Sequence, residues 1–318
     1  MPELPDVEVY VECLAARVVE QRIDRIRLLR PFVLRSVDPP IHSAEGLTVR
    51  TVERLGKRIV IGLSGNLFLV LHLMIAGRLR WRDRGTRIPR KLGLAAFDFP
   101  NGTLLMTEAG SIKRAALFLV DGRDGLREHD RGGIEVLGSD LFAFREALLR
   151  ENHTLKRSLT DPRLFSGIGN AYSDEILHAA GLSPLKLTGR MTDAEIARLH
   201  EATQTTLRAW TERLRRETRD RFPEQVTAFH PGMAVHGRYG KPCPACGSPV
   251  QRIVYASNES NYCPACQTGG KLLADRAMSR LLKSDWPRSL DEWDAMKDER
   301  SVPRATDAPA LRGDDINQ

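Results

Sequence analysis

Cys243-Pro-Ala-Cys246 and Cys263-Pro-Ala-Cys266 are two CxxC pairs with sixteen residues between them. Each CxxC turn can aim two thiolates at one tetrahedral ion. A hairpin of that length brings two such turns together, which is the geometry of a closed structural zinc site. Four thiolates leave no open coordination position, so the expected single Zn2+ folds a module too small to hold itself up and takes no part in catalysis. The other candidate residues gain meaning only in combination. Pro2 alone reads as a stiff start before a helix, Glu3 as a solvated charge, and Lys57 as one cation among 48 lysines and arginines. Gly167-Ile168-Gly169-Asn170 alone is a helix-capping turn. Its glycines permit a tight backbone path, the amides that follow can hold a phosphate, and Asn170 adds a side-chain donor. His72 alternates with apolar residues and is equally a satisfied core group.

The elements that must position these groups are legible from periodicity. Pro5 and Asp6 suit a helix N-terminus, and Val7, Val11, Leu14, Ala15 and Val18 recur at helical spacing, so a first helix runs through the teens. From Ile23 to about Val120 short β-rich runs alternate with turn residues. RIVIGL and LFLVLHL flank Ser64-Gly65-Asn66, and LAAFDF and TLLMT flank Pro100-Asn101-Gly102, a pattern of antiparallel sandwich or barrel. After Gly138 the period becomes helical in LFAFREALL, in the segment after Asn170 and from Thr192 to about Glu217. From Met233 glycine, proline and cysteine thicken, and beyond about Asp291 charge, proline and glycine predict a disordered tail. The expected class is α+β multidomain, with an antiparallel β-sandwich and flanking helix over 1–136, a helical domain over 137–230, a zinc ribbon over 231–276 and a C-terminal extension over 277–318.

A chain of 318 residues, 42% hydrophobic, can bury one or two cores. The net charge of +7 suits a protein that meets a polyanion, although an ordinary solvated surface carries as much. MPELPDVE is acidic and proline-punctuated, unlike a signal peptide, and no eighteen apolar residues run together, so a cytoplasmic protein without membrane attachment is expected. Five cysteines make a poor disulfide framework, and Cys13, left over from the pairs, reads as a small buried hydrophobe.

MPELPDVE, GKRI at 56–59, LHLMIAGRL at 71–79, GIGNAYSDEIL at 167–177 and the paired CxxC motifs occur in one order. Together they resemble the formamidopyrimidine-DNA glycosylase and endonuclease VIII family over roughly residues 1–276. The resemblance implies a helix-two-turn-helix from Lys156 through Asn170, and a base-excision-repair DNA glycosylase with strand-nicking lyase activity on damaged DNA, acting as a monomer near the nucleoid. It implies that Pro2, once Met1 is removed, is the nucleophile. A secondary amine with a pKa near the ~8 of an α-amino group is partly neutral at physiological pH, where lysine is mostly protonated. Attack at C1′ expels the base and leaves an iminium that acidifies the C2′ protons for β-elimination. Glu3 takes the acid role. Lys57, at the start of a predicted strand, contacts phosphate and supplies a proton during elimination. His72, Lys156 and Asn170 fall to DNA contacts.

Four positions depart from the family pattern. Asp6 stands where glutamate is usual, keeping the charge with shorter reach. Ile75, beside Met74, occupies the place of the methionine that fills the gap left by an everted base. EAGSIKRAALF offers no match for the arginine and phenylalanine of the neighbouring loop, so strict pairing with cytosine is not expected. Asn258 stands where the ribbon hairpin carries an arginine, and asparagine has no permanent charge. Nicking mainly by β-elimination is therefore predicted, unless Arg252 or Lys271 moves in. The rival readings are a damaged- or structured-nucleic-acid binding protein of the same fold, which leaves Pro2 and Glu3 without a purpose, and a zinc-ribbon protein adaptor, which also leaves GIGN unexplained.

Overall fold

The first helix, α1, spans Leu4–Val18. Its start is set by Pro5 in the first turn and by a capping box, in which the Glu3 N–H donates to Asp6 Oδ2 at 2.8 Å. Val7, Tyr10, Leu14 and Val18 repeat at helical spacing and go into the main core. The computed structural model describes residues 1–219, 221–224, 229–255, 258–274, 287, 289–292 and 295, and of Tyr255 and Asn258 the backbone only. The tail predicted beyond Asp291 therefore lies outside the described residues, apart from 291, 292 and 295.

Eight strands follow α1: β1 Arg25–Leu28, β2 Val49–Leu55, β3 Arg58–Leu63, β4 Leu67–His72, β5 Gly77–Arg82, β6 Gly93–Phe99, β7 Gly102–Glu108 and β8 Ala116–Asp121. They form two antiparallel four-stranded sheets, ordered β1-β6-β7-β5 and β2-β3-β4-β8. The turns read from sequence are where they should be: Gly65 and Asn66 take positive φ between β3 and β4, and Asn101 lies between β6 and β7. Ile59, Ile61, Leu69, Leu71, Leu117 and Leu119 of one sheet meet Phe97, Phe99, Leu104 and Met106 of the other. The intervening Val60, Phe68 and Val70 point the other way and are covered by Leu126 of the short α2, Gly122–Arg127.

The helical region comprises α3 Leu141–Leu149, α4 Leu155–Thr160, α5 Asn170–Ala179 and α6 Asp193–Thr218. Asp140, Thr154 and Thr192 accept from the first-turn amides of α3, α4 and α6, as their residue types suggest. Phe144, Leu159, Phe165, Ile168, Tyr172, Ile176 and Leu207 make a second core. Leu4 belongs to that core although it opens α1, so the start of the chain is shared between the two bodies.

The last module is a hairpin of β9 Gln251–Tyr255 with β10 Asn258–Tyr262, followed by α7 Pro264–Thr268. Two adjacent acids of α5 dock it. Glu175 accepts from the backbone N–H groups of Ala234, Val235 and His236 at 2.7, 2.9 and 3.0 Å. Asp174 accepts from Ser260 Oγ at 2.8 Å and pairs with His236 Nδ1 at 2.7 Å and Lys156 Nζ at 2.5 Å. Each buried donor left without its acceptor costs roughly 1–3 kcal/mol. Glu175→Ala is therefore expected to destabilise the docked ribbon by more than ~2 kcal/mol. Limited proteolysis between α6 and β9 should accelerate while α1 and the two sheets stay protected, and an unchanged digestion rate would count against this docking scheme.

Candidate active site at the chain start

Glu3 is 2% exposed, and its carboxylate is held by the N-terminus of α5. Oε2 accepts from Gly169 N–H at 2.7 Å and Tyr172 N–H at 3.2 Å, and Oε1 accepts from Ala171 N–H at 2.9 Å. The first N–H groups of a helix have no partner within it and carry partial positive charge, so a carboxylate is the group such an end holds best. The adjacent Leu4 N–H donates to the Gly167 carbonyl at 2.9 Å. Gly167 has φ +82°, and a Cβ there would stand 2.8 Å from Leu4 Cβ, so both conformation and closeness require glycine. Pro2 is buried immediately before these contacts.

Lys57 reaches the same place from the opposite side. It sits at the tip of a two-residue turn between β2 and β3, where Gly56 takes φ +61°, and the strand proper begins one residue later at Arg58. The left-handed Gly56 is what turns Lys57 out of the ladder instead of leaving it in the strand. A Cβ on Gly169 would stand 2.5 Å from the Glu3 carboxylate and 2.6 Å from Lys57 Nζ, so the two charges face each other across a bare glycine. Burial lowers the Lys57 pKa, with Glu3 opposing the shift and Lys156 adding to it. Burial likewise lowers the terminal amine of Met1, which lies among Glu3, Arg78, Asp6 and Lys57. Burial also pushes Asp6, which accepts from the Glu3 N–H, up to about 7.

The structure brings some of the other sequence candidates to this centre and commits others elsewhere. His72 ends β4 directly opposite Arg58, and burial, with Arg58 and Lys57 next, pushes its pKa down to about 4. It is therefore neutral at physiological pH and offers a hydrogen bond without charge. Lys156 donates to the Asn170 carbonyl at 2.7 Å besides its Asp174 pair, and Asn170 Nδ2 donates to the Glu259 carbonyl at 2.8 Å. Lys156 thus joins α4 to α5, and Asn170 joins α5 to the ribbon. Ile75 is 60% exposed at the tip of a turn in which Met74 takes φ +52° and Gly77 N–H donates to the Leu73 carbonyl. Asn258 opens β10 opposite Tyr255, and its side chain lies outside the described residues. Arg252 lies over the Tyr239 ring at 4.4 Å and pairs with Glu259 at 3.1 Å.

Sequence reasoning missed three groups. Arg54 is buried between Glu8 of α1 at 2.6 Å, Glu135 and the Gly56 carbonyl at 3.0 Å, so it braces the Lys57 turn against both bodies. Arg78 Nη1 donates to the Ile75 carbonyl at 3.2 Å and to the Gly77 carbonyl at 2.6 Å, bracing the exposed turn, and its charge is felt at the Met1 amine and Asp6. Ile112, 68% exposed, sits in the loop whose Gly110 borders Ala76, beside the Ile75 turn. Only the GR of LHLMIAGRL hinted at any of them.

The thiol sulfurs of Cys243, Cys246, Cys263 and Cys266 lie within 4.8 Å of one another, with Cys246 to Cys263 at 3.4 Å and Cys243 to Cys266 at 4.0 Å. Zn–S bonds of about 2.3 Å in a tetrahedron separate sulfurs by roughly 3.8 Å. The four residues fit one structural Zn2+, which when bound supplies a cross-link and no chemistry. Among the described residues no helix is long and apolar enough to cross a membrane.

Comparison with known proteins gives three matched domain families: the formamidopyrimidine-DNA glycosylase N-terminal domain over residues 1–114, the formamidopyrimidine-DNA glycosylase H2TH domain over 136–220, and the zinc finger found in FPG and IleRS over 240–269. A formamidopyrimidine-DNA glycosylase of Pelotomaculum thermopropionicum is 33% identical over 275 residues, 84% of this chain and 99% of that protein. A formamidopyrimidine-DNA glycosylase-like protein of Mycobacterium tuberculosis is 45% identical over 129 residues, 41% of this chain and 80% of that protein. The crystal structure of the Lactococcus lactis protein in complex with Fapy-dG-containing DNA superposes with a TM-score of 0.74 at 25% identity, over 84% of this chain and 100% of that one.

The closeness of Gly169 to both charges makes it the sharpest probe of the site. Gly169→Ala must push Glu3 and Lys57 apart, and general acid–base contributions run to about 10²–10⁴-fold. Single-turnover nicking of an abasic duplex is expected to fall by at least ~10²-fold, with the thermal midpoint also lowered because the Glu3 carboxylate is displaced from the α5 amides. Undiminished nicking would show that this spacing is irrelevant.

Proposed function

Because the chain belongs to the formamidopyrimidine-DNA glycosylase family, we propose that it excises oxidised or ring-opened bases from damaged DNA and then nicks the strand, using the amine of Pro2. The observation that carries this reading is the burial of Pro2 and Glu3 against α5, with Lys57 facing them across Gly169. The family model over residues 1–114 includes both arms of that arrangement.

Removal of Met1 leaves Pro2 nitrogen as a secondary amine in the surroundings that now lower the Met1 amine, so a larger fraction is neutral and nucleophilic. The amine attacks C1′ and the C1′–N bond to the base breaks. The departing base takes a proton, for which Glu3 is the nearest acid by sequence and by position. The bound nitrogen then gives up its proton and the C1′–O4′ bond breaks, O4′ leaving protonated as a hydroxyl, which forms the iminium; this acidifies C2′, and loss of a C2′ proton breaks the C3′–O bond and expels the 3′ phosphate as a leaving group. Water then hydrolyses the iminium and restores Pro2. Lys57, made a readier donor by burial, serves the leaving phosphate. His72 and Asn170 contact the DNA backbone, Lys156 holds the Asn170 end of α5 in place, and Ile75 enters the gap left by the everted nucleotide. Division at 136, 230 and 276 suits this scheme, with the nucleophile on the sandwich, the turn that holds Glu3 on the helical domain and the ribbon docked behind it. Action as a monomer in the cytoplasm, close to the nucleoid, belongs to the same proposal.

Borohydride trapping on an abasic duplex tests the nucleophile. A covalent protein–DNA complex is expected from processed protein, and none from protein with a chemically blocked N-terminus. Equal trapping from blocked protein would refute Pro2, and tight binding without any trapping would favour a damage-binding role.

The hairpin supplies the second test. Asn258 lacks charge, and Arg252 is engaged by Tyr239 and Glu259. Ends left by β-elimination should dominate, with Asn258→Arg raising the 3′-phosphate fraction. With isoleucine as the wedge, bubble and single-stranded substrates and oxidised pyrimidines should be cut faster than 8-oxoguanine opposite cytosine. Predominant 3′-phosphate from the unaltered protein, or fastest cleavage of the 8-oxoguanine duplex, would reverse these assignments.

A further inference from the structure

We propose that His178, near the C-terminal end of α5, donates its Nε2–H to the Cys243 thiolate of the zinc site and thereby fixes the metal centre to the helix whose N-terminus holds the Glu3 carboxylate. Nε2 lies 3.2 Å from Cys243 Sγ. Cys243 is buried, and the imidazole is half-buried in the seam between α5 and the ribbon. Zinc binding removes the thiol proton, so the sulfur becomes an acceptor only and the ring nitrogen facing it must carry the hydrogen.

His178 is not itself one of the metal ligands. Among the described residues the group whose donor atoms come within 4.8 Å of one another is the four cysteines, and the imidazole stands outside it. Its contribution is electrostatic and positional. Four thiolates around Zn2+ leave a net charge of about −2, and a donated N–H offsets part of that charge in a seam with little water. The contact has company. Gln267 accepts from Cys263 N–H at 2.8 Å and donates to the Leu182 carbonyl at 2.9 Å, so a second cysteine is also tied to the stretch after α5. Phenylalanine at 178 keeps the ring and removes the donor; glutamine keeps an N–H at similar reach.

The test uses the full-length zinc-loaded protein. Chelator-driven zinc release from His178→Phe is expected to be about 10-fold faster or more, the scale found when outer partners of metal ligands are removed, with His178→Gln close to the unaltered chain. Cobalt substitution gives the reading that mere packing cannot move. Without the N–H, thiolate-to-cobalt charge-transfer bands of His178→Phe should shift to lower energy, and those of His178→Gln should not. Unchanged release would overturn the proposal, and so would faster release with unmoved bands. If His178→Phe fails to load metal, His178→Gln still decides, since impaired retention in that variant would show that the N–H is not what matters.

Discussion

One carboxylate joins the two halves of this molecule. The sandwich and the helical domain have separate cores, and the start of the chain crosses between them, with Glu3 meeting three amides of α5 and Leu4 packed in the helical core. A helix end with unsatisfied N–H groups is costly to bury without an acceptor, and a buried carboxylate is costly without donors. Each relieves the other here. Because Glu3 follows Pro2 directly, an interaction that helps fix the relative position of the two bodies, beside the Arg54–Glu135 and Arg215–Glu12 pairs, also fixes where Pro2 lies. Assembly of the fold and assembly of the site are the same event.

The middle of that helix is used with equal economy. Asp174 and Glu175 occupy one turn and receive the ribbon, while Lys156 neutralises Asp174 from α4. Asn170, at the first turn, reaches the β10 carbonyl of Glu259. A ten-residue helix therefore touches the chain start, the helix-two-turn-helix and the zinc module in succession. Its acids and its capping turn cannot drift independently, since displacing any one of them misaligns the others. Arg54 plays the matching part on the sandwich side, satisfying Glu8, Glu135 and the Gly56 carbonyl from a single guanidinium.

Most of the fold was legible in the sequence, because apolar periodicity and turn chemistry are local. The β3–β4 hairpin could be read from RIVIGL, Ser64-Gly65-Asn66 and LFLVLHL, and the zinc site from spacing alone, since four thiolates at that interval admit few other uses. The site was legible only as a set of motifs. Nothing local in Glu3 announces that its partners lie at 169–172, and nothing in Arg54 distinguishes it from other arginines on a strand. Such pairings depend on how two bodies dock, which no window of sequence contains. Lys57 was placed one residue too far into its strand for a local reason: Gly56 permits both a turn and a strand entry, and the left-handed conformation it adopts decides between them.

Burial is also what makes these ordinary residue types chemically useful. The same desolvation lowers Lys57 and the Met1 amine and raises Asp6 to about 7, favouring the uncharged form of each. On the proposed mechanism, a lysine that gives up its proton more readily suits a proton donor, and an α-amine more often neutral suits a nucleophile. Water must be excluded for the shift to exist, and exclusion requires the docked helix. On the proposed mechanism, the carboxylate that holds α5 in place thus acts on reactivity twice, once by position and once by keeping the solvent away from its neighbours.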